Sequence, residues 1–298
     1  MARPVRLAGV ELGGTKAIAV LAQDGAIVAQ HEVPTQGPDA TLGALNRQLR
    51  AWQDEGVFAG LGIASFGPVR VDPASVDYGH MLGTPKPGWS HADIAGPLTD
   101  GLQCNWIIDT DVNAAALAES TRGSAVGCDS LCYVTIGTGV GAGLVIGGRP
   151  VHGALHPEIG HLRLRRASGD TFPGSCRFHG DCIEGLVSGP ALTLRFGLPA
   201  NAVPDGHPEW ENVAADIGEL VASLLLTTSA NRIAFGGSVA LGRAFLLPAI
   251  RDHALSVLND YLPFYSAQTA AQMIILSPLG PLAGPLGAIG LAELVAGV

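Results

Sequence analysis

The sequence predicts an α/β protein of two lobes, each built on a mixed sheet, with a cleft between them. Two observations carry that prediction. A glycine turn joins two strand-like runs near the start (VRLAGVEL, GGTK, AIAVLA), and the same device returns at LCYVTI, GTG, AGLVIGG. Each hairpin is followed by alternating strand and helix patterns, so the architecture duplicates although the sequence does not. A length of 298 residues suits two domains of ordinary size.

In chain order, the first hairpin continues through Gln23-Asp24-Gly25 into a third strand, AIVAQHEVP. Leu42, Leu45, Leu49 and Trp52 recur at helical spacing and mark one apolar face. FAGLGIAS reads as a buried strand, NWIID (Asn105 to Asp109) as another, and TDVNAAALAES opens a helix. After the second hairpin, Val213, Ile217, Leu220, Val221 and Leu224 line a long helix. RIAF then runs into GGS, and a further helix carries Leu246, Leu247, Ile250 and Leu258. The expected division is residues 1–118 as a small lobe and residues 119–283 as a larger one.

Composition excludes several classes. Apolar residues make up 47% of the chain, enough for a sizeable core. The net charge of −9, with no basic run, disfavours nucleic acid and anionic membrane as partners. The uncharged stretch from Met273 to Ala292 has the length of a membrane span, but Pro278, Pro281 and Pro285 break it into strand, turn and short helix. No signal peptide is recognisable at the start. The five cysteines therefore point to a reducing cytoplasm, with free or metal-bound thiols. Cys104, Cys128 and Cys132 read as core or surface thiols.

The glycine turns are candidate phosphate cradles. No helix begins after Gly137, Gly139 and Ala142, so the loose dinucleotide spacing there is not a Rossmann fingerprint. GGTK is not a Walker A loop, because a strand follows it. Glycines permit close approach and the positive φ such turns are expected to need. His161, Cys176, His179 and Cys182 offer two imidazoles and two thiols, a set that suits tetrahedral zinc. Spacing alone leaves an ordinary loop with two cysteines equally open. Asp111, by position alone, is a helix cap.

Taken together, ELGGTK (Glu11 to Lys16), TDVNAAALAE (Thr110 to Glu119), IGTGVGAG (Ile136 to Gly143), HPEIGH (His156 to His161) and FGGSV (Phe235 to Val239) resemble the ROK-family sugar kinases, in family order. TPKPGW (Thr84 to Trp89) and CRFHGDCIEG (Cys176 to Gly185) are similar to the fructokinase branch. The resemblance implies the two-lobed actin-like ATPase (ribonuclease H-like) fold, with a C-terminal helix of about residues 284–298 packed back on the first lobe. It implies ATP-dependent phosphorylation of a hexose, fructose first, with glucose or mannose as the alternative. Asp111 is then the base. Glu11, Gly13, Gly14, Thr15, Lys16, Gly137, Thr138, Gly139, Gly236 and Gly237 serve ATP. Asn113, Glu158, His161 and Glu184 serve the sugar, and Asp109 is structural.

Mg²⁺ is expected with ATP, and a structural Zn²⁺ on His161, Cys176, His179 and Cys182. A homodimer is expected as well. Glu11 stands where many members have Asp, and Pro281 and Leu282 replace a polar pair common near the nucleotide. A sugar-sensing regulator is the other class, disfavoured because the first hairpin begins at Gly9 and leaves no room for a helix-turn-helix. A sugar-binding protein without activity is disfavoured by Asp111 and the two hairpins.

Overall fold

The computed structural model describes residues 4–298. The chain divides into two compact units, one of Met1–Thr121, Arg149–Pro157 and Pro281–Val298, the other of Arg122–Gly148 and Glu158–Gly280. The segment Arg149–Pro157 thus groups with the first unit, although its place in the sequence suggests the second.

The first unit begins with β1 (Arg6–Leu12), β2 (Lys16–Gln23) and β3 (Ala26–Pro34), then α1 (Pro38–Asp54). There follow β4 (Gly60–Ser65), α2 (Ala95–Thr99), β5 (Asn105–Thr110) and α3 (Asp111–Arg122). Its sheet has the order β3-β2-β1-β4-β5. The first three strands pair antiparallel, while β1-β4 and β4-β5 pair parallel, so the sheet is mixed as expected. Every residue of β4 is buried, which is why its run lacks polar alternation. The predicted face of α1 is correct: Leu42, Leu45, Leu49 and Trp52 are all buried. Each such leucine contributes roughly 1.5–3 kcal/mol by leaving water.

The second unit repeats the plan with β6 (Ser130–Ile136) and β7 (Val140–Ile146), and β8 (Arg149–Pro150) follows at the start of the segment that groups with the first unit. Then come α4 (Ile183–Val187), α5 (Gly189–Phe196), α6 (Trp210–Thr228), β9 (Arg232–Gly236) and α7 (Gly237–Gly242). It ends with α8 (Leu247–Leu258), α9 (Ala267–Met273) and β10 (Ile274–Leu276). The sheet order is β10-β9-β6-β7-β8. Again an antiparallel hairpin (β6-β7) adjoins parallel strands (β6-β9, β9-β10). Leu246 belongs to a 3-10 turn before α8 rather than to the helix itself.

The last helix, α10 (Ala283–Ala296), belongs to the first unit and packs on β4 and β1. Glycine makes this possible: a Cβ on Gly62 would run into the Ala288 carbonyl. Among the described residues no helix is long and apolar enough to cross a membrane.

In the second unit four charged side chains lie together in the interior. Arg195 bridges Asp170 at 3.2 Å and Asp216 at 2.9 Å, and Arg166 reaches Asp170 at 2.6 Å. Two positive and two negative groups balance, and Asp170 thereby ties the long loop before Cys176 to α5 and α6. Burial, partly offset by the two arginines, pushes Asp216 up to about 6.

Candidate active site

The first glycine turn lies between β1 and β2. Gly13 N–H donates to the Lys16 carbonyl at 3.0 Å, and Thr35 braces the turn through its hydroxyl to the Gly13 carbonyl at 2.8 Å. The second lies between β6 and β7, where Gly137 N–H donates to the Gly139 carbonyl at 2.9 Å. The first amide of α5, on Gly189, donates to the Gly137 carbonyl at 2.7 Å. The amides of Gly14 and Thr15, and those of Thr138 and Gly139, find no acceptor among the described residues. Unpartnered amides in a tight turn are what an anion needs.

At Gly13 and Gly139 glycine is required for space and not for handedness, while a Cβ on Gly14 or Gly137 would meet no close neighbour. None of Gly13, Gly14, Gly137 or Gly139 has positive φ, contrary to the expectation. A Cβ on Gly13 would lie 2.8 Å from the Lys16 carbonyl, and one on Gly139 would lie 2.8 Å from Glu184 Oε2. At Gly237 the expectation holds, with φ +84° and the Ile136 carbonyl too close for a side chain. Gly236 faces Tyr133 in the same way. Beyond them an apolar pocket is lined by Ile136, Phe235, Val239, Arg243 and Leu276.

Two lysines behave differently from what the sequence suggests. Lys16 Nζ pairs with Glu32 at 2.8 Å on the exposed face of β2 and β3. Lys86, from TPKPGW, donates instead to the Gly14 carbonyl, and its Nζ lies 5.3 Å from the Phe66 ring centre. Burial holds Lys86 below the usual lysine range. Sequence reasoning read Lys86 only as part of a branch signature; nothing local linked it to a turn 72 residues away.

Glu11 is the penultimate residue of β1 and Asp111 begins α3, both in the first unit. Burial pushes Glu11 up to about 7, with Lys16 opposing and Glu32 assisting. Burial, and then the negative charge of Glu11, pushes Asp111 up to about 7. Asp111 still has some solvent-facing surface, but its carboxyl is densely surrounded. A carboxylate near neutrality is matched to proton acceptance at working pH. Gly284, in the first turn of α10, lies so close to the Glu11 carboxylate that a Cβ would strike it. The C-terminal segment that departs from the family pattern therefore shapes the surroundings of Glu11.

Asp109 is buried and fully occupied. Its Oδ1 accepts from Thr110 N–H at 2.7 Å and from Asn113 Nδ2 at 2.8 Å, and its Oδ2 faces His152 Nε2 at 2.9 Å. His152 went unnoticed in the sequence, where it is one histidine in a glycine-containing loop.

In the second unit Glu184, on α4, accepts from Val140 N–H at 3.2 Å, so one carboxylate oxygen rests on the second glycine turn. Glu158 is exposed and directly precedes the 3-10 turn Ile159–His161. His161, Cys176, His179 and Cys182 converge, their ligand atoms all within 4.8 Å of one another. His161 Nδ1 lies 3.6 Å from Cys182 Sγ and 3.8 Å from Cys176 Sγ, and His179 Nδ1 lies 3.9 Å from Cys176 Sγ. A tetrahedral zinc with ordinary bond lengths has ligand-to-ligand edges of about 3.3–3.8 Å. The four side chains fit such an ion with little adjustment. Since His161 presents Nδ1 to the thiols, its Nε2 is left for another partner.

Two mixed sheets, each opening with a glycine-turn hairpin beside a helix-initiating acid or a free amide pair, define a phosphotransferase scaffold of the actin-like ATPase kind. The ROK family model matches residues 7–294, and the chain belongs to that family. It is 38% identical to a fructokinase of Zymomonas mobilis, over 95% of this chain and 95% of that protein. It is 34% identical to a fructokinase of Pediococcus pentosaceus, over 96% and 97%. The ROK hexokinase structure from Thermus thermophilus superposes with a TM-score of 0.77 at 28% identity, over 97% of this chain and 98% of the other.

Proposed function

We propose that this protein transfers the γ-phosphoryl group of ATP to a hexose, D-fructose in the first instance, giving fructose 6-phosphate. The observation that carries the reading is the pair of unpartnered amides in each glycine turn, Gly14 and Thr15 in one and Thr138 and Gly139 in the other. The fructokinase relatives support the choice of sugar.

Asp111 accepts the proton of the attacking hydroxyl, and its elevated pKa suits that task. Phosphoryl transfer asks little covalent chemistry of the protein, so holding donor and acceptor in line is the main requirement. The turn amides hold phosphate oxygens, and Lys86 adds a positive charge beside Gly14. Gly236 and Gly237, where the backbone leaves no room for a side chain, are placed at the nucleoside in this reading. Asn113, Glu158, Glu184 and the free Nε2 of His161 hold sugar hydroxyls. Glu11 is the carboxylate for the hydrated Mg²⁺ that arrives with ATP; oxygen donors suit this hard cation, and it neutralises phosphate charge when bound. His161, Cys176, His179 and Cys182 would hold a structural Zn²⁺, which would tie down the loop between Glu158 and Glu184. The protein works as a cytoplasmic homodimer in this reading.

The test is steady-state ADP release with Mg·ATP and fructose, glucose or mannose. Selective turnover of fructose supports the full proposal. Preference for glucose or mannose keeps the mechanism and removes the sugar assignment.

A further inference from the structure

Asp109 has no role in proton transfer in the reading above, yet it is a buried carboxylate with both oxygens occupied. A carboxylate can only accept, so the His152 nitrogen 2.9 Å from Oδ2 carries a hydrogen, and the Asn113 nitrogen 2.8 Å from Oδ1 donates as well. The 3.3 Å approach of Asn113 Nδ2 to His152 Nε2 is then two donors on the two oxygens of one carboxylate, not a bond between them. Asp109 therefore fixes which end of each side chain faces it.

What each side chain turns away from Asp109 is informative. Asn113 is 1% exposed, and its Oδ1 is buried with no donor from the protein. An unpaired buried amide oxygen is costly unless something supplies a hydrogen. His152 is 37% exposed at its side chain, and its Nδ1 takes no partner among the described residues. The backbone that carries His152 is itself anchored: the nearby His156 is buried and its Nε2 accepts from Val69 N–H at 3.2 Å. An acceptor and a ring nitrogen, both on side chains held by the one carboxylate and with Asn113 two residues from Asp111 on the chain, suit the hydroxyls of a sugar.

We propose that His152 is a specificity-determining residue that reads a hydroxyl of the hexose, and that Asp109 is the positioning residue that aims both His152 and Asn113 at it. This rests on the hexokinase reading. A site built to hydrogen-bond a hydroxyl discriminates strongly, because the site groups are left unpaired by a sugar that lacks it. The contribution of His152 is to binding of the sugar and not of the nucleotide.

The experiment compares wild type, His152→Ala, His152→Gln and Asp109→Asn. The readouts are KM for fructose, KM for ATP and kcat, together with calorimetric titration of fructose into each protein without nucleotide. His152→Ala should raise the KM for fructose tenfold or more, by more than it lowers kcat, with the KM for ATP within twofold. His152→Gln, which keeps an amide donor for Asp109 and an acceptor for the sugar, should recover part of that loss. Asp109→Asn should resemble His152→Ala and should also weaken fructose binding in calorimetry. Since His152 is exposed, its variants test the idea even if Asp109→Asn fails to fold. A fructose KM within twofold of wild type in His152→Ala overturns the proposal. Equal rises in the KM for fructose and for ATP overturn it too, since they mark a scaffold defect. Wild type that turns over no hexose removes the hexokinase reading. The calorimetric comparison still decides His152 in that case: fructose binding weakened tenfold supports it, and unchanged or absent binding overturns it.

Discussion

Replacing Asp111 by asparagine should destroy activity and raise stability at alkaline pH. In the native chain burial and the charge of Glu11 lift Asp111 from 3.8 to about 7, so the folded protein holds this proton more tightly than the unfolded one. Stability from this group is complete below the unfolded value near 3.8, declines as pH rises, and is gone above about 7. Asparagine has no proton to lose, so the variant avoids that decline. A rise of about three units corresponds to a ceiling of roughly 4 kcal/mol, at 1.36 kcal/mol per unit. Asp111 keeps some solvent contact, which screens its charge, so about 2 kcal/mol is the expected gain at pH 8. For a unit of this size that is roughly 4–8 °C in melting temperature. Thermal melts of wild type and Asp111→Asn at pH 8 and pH 4.5 measure it. The difference should be about four times larger at pH 8 than at pH 4.5, where only the unfolded carboxyl has begun to ionise. A variant equally or less stable than wild type at both pH values refutes the argument, because the carboxylate would then not be strained by ionisation.

Other outcomes follow from the same geometry. The acid limb of kcat/KM should fall near pH 7, since Asp111 must be ionised to accept a proton; a limb near pH 4 excludes it as the base. One zinc per chain should be found by elemental analysis, and Cys182→Ser should lose it and lower the melting temperature. Arg195→Met should destabilise by about 3–5 kcal/mol in urea unfolding, because Asp170 and Asp216 lose a buried partner. Lys86→Met should raise the KM for ATP several-fold while leaving the melting temperature within a degree or two, as the side chain has no carboxylate partner to strand.

Much of the fold could be read from pattern. The three-strand start, the apolar stripe of α1 and both glycine hairpins are local signals, each written in neighbouring residues. The Cys-x-x-His-x-x-Cys loop was equally compact, and His161 joins it as the family match implied. What escaped the sequence depends on chain segments far apart. Lys86 meets Gly14 across 72 residues, and His152 meets Asp109 across 43. Arg166, Asp170, Arg195 and Asp216 have no common period, so nothing marks them as one ion cluster until the chain is folded. Of the two properties expected of the turn glycines, close approach holds at Gly13 and Gly139, and positive φ holds at none of the four. Gly62 and Gly284 likewise reflect the packing of α10, which no local pattern reports.

The most direct test of the account is ADP release by wild type and Asp111→Ala with Mg·ATP, across fructose, glucose, mannose and no sugar. The account predicts sugar-dependent turnover, best with fructose, that Asp111→Ala reduces by at least a thousandfold while nucleotide binding persists. Turnover that is independent of sugar, or that survives in Asp111→Ala, contradicts it.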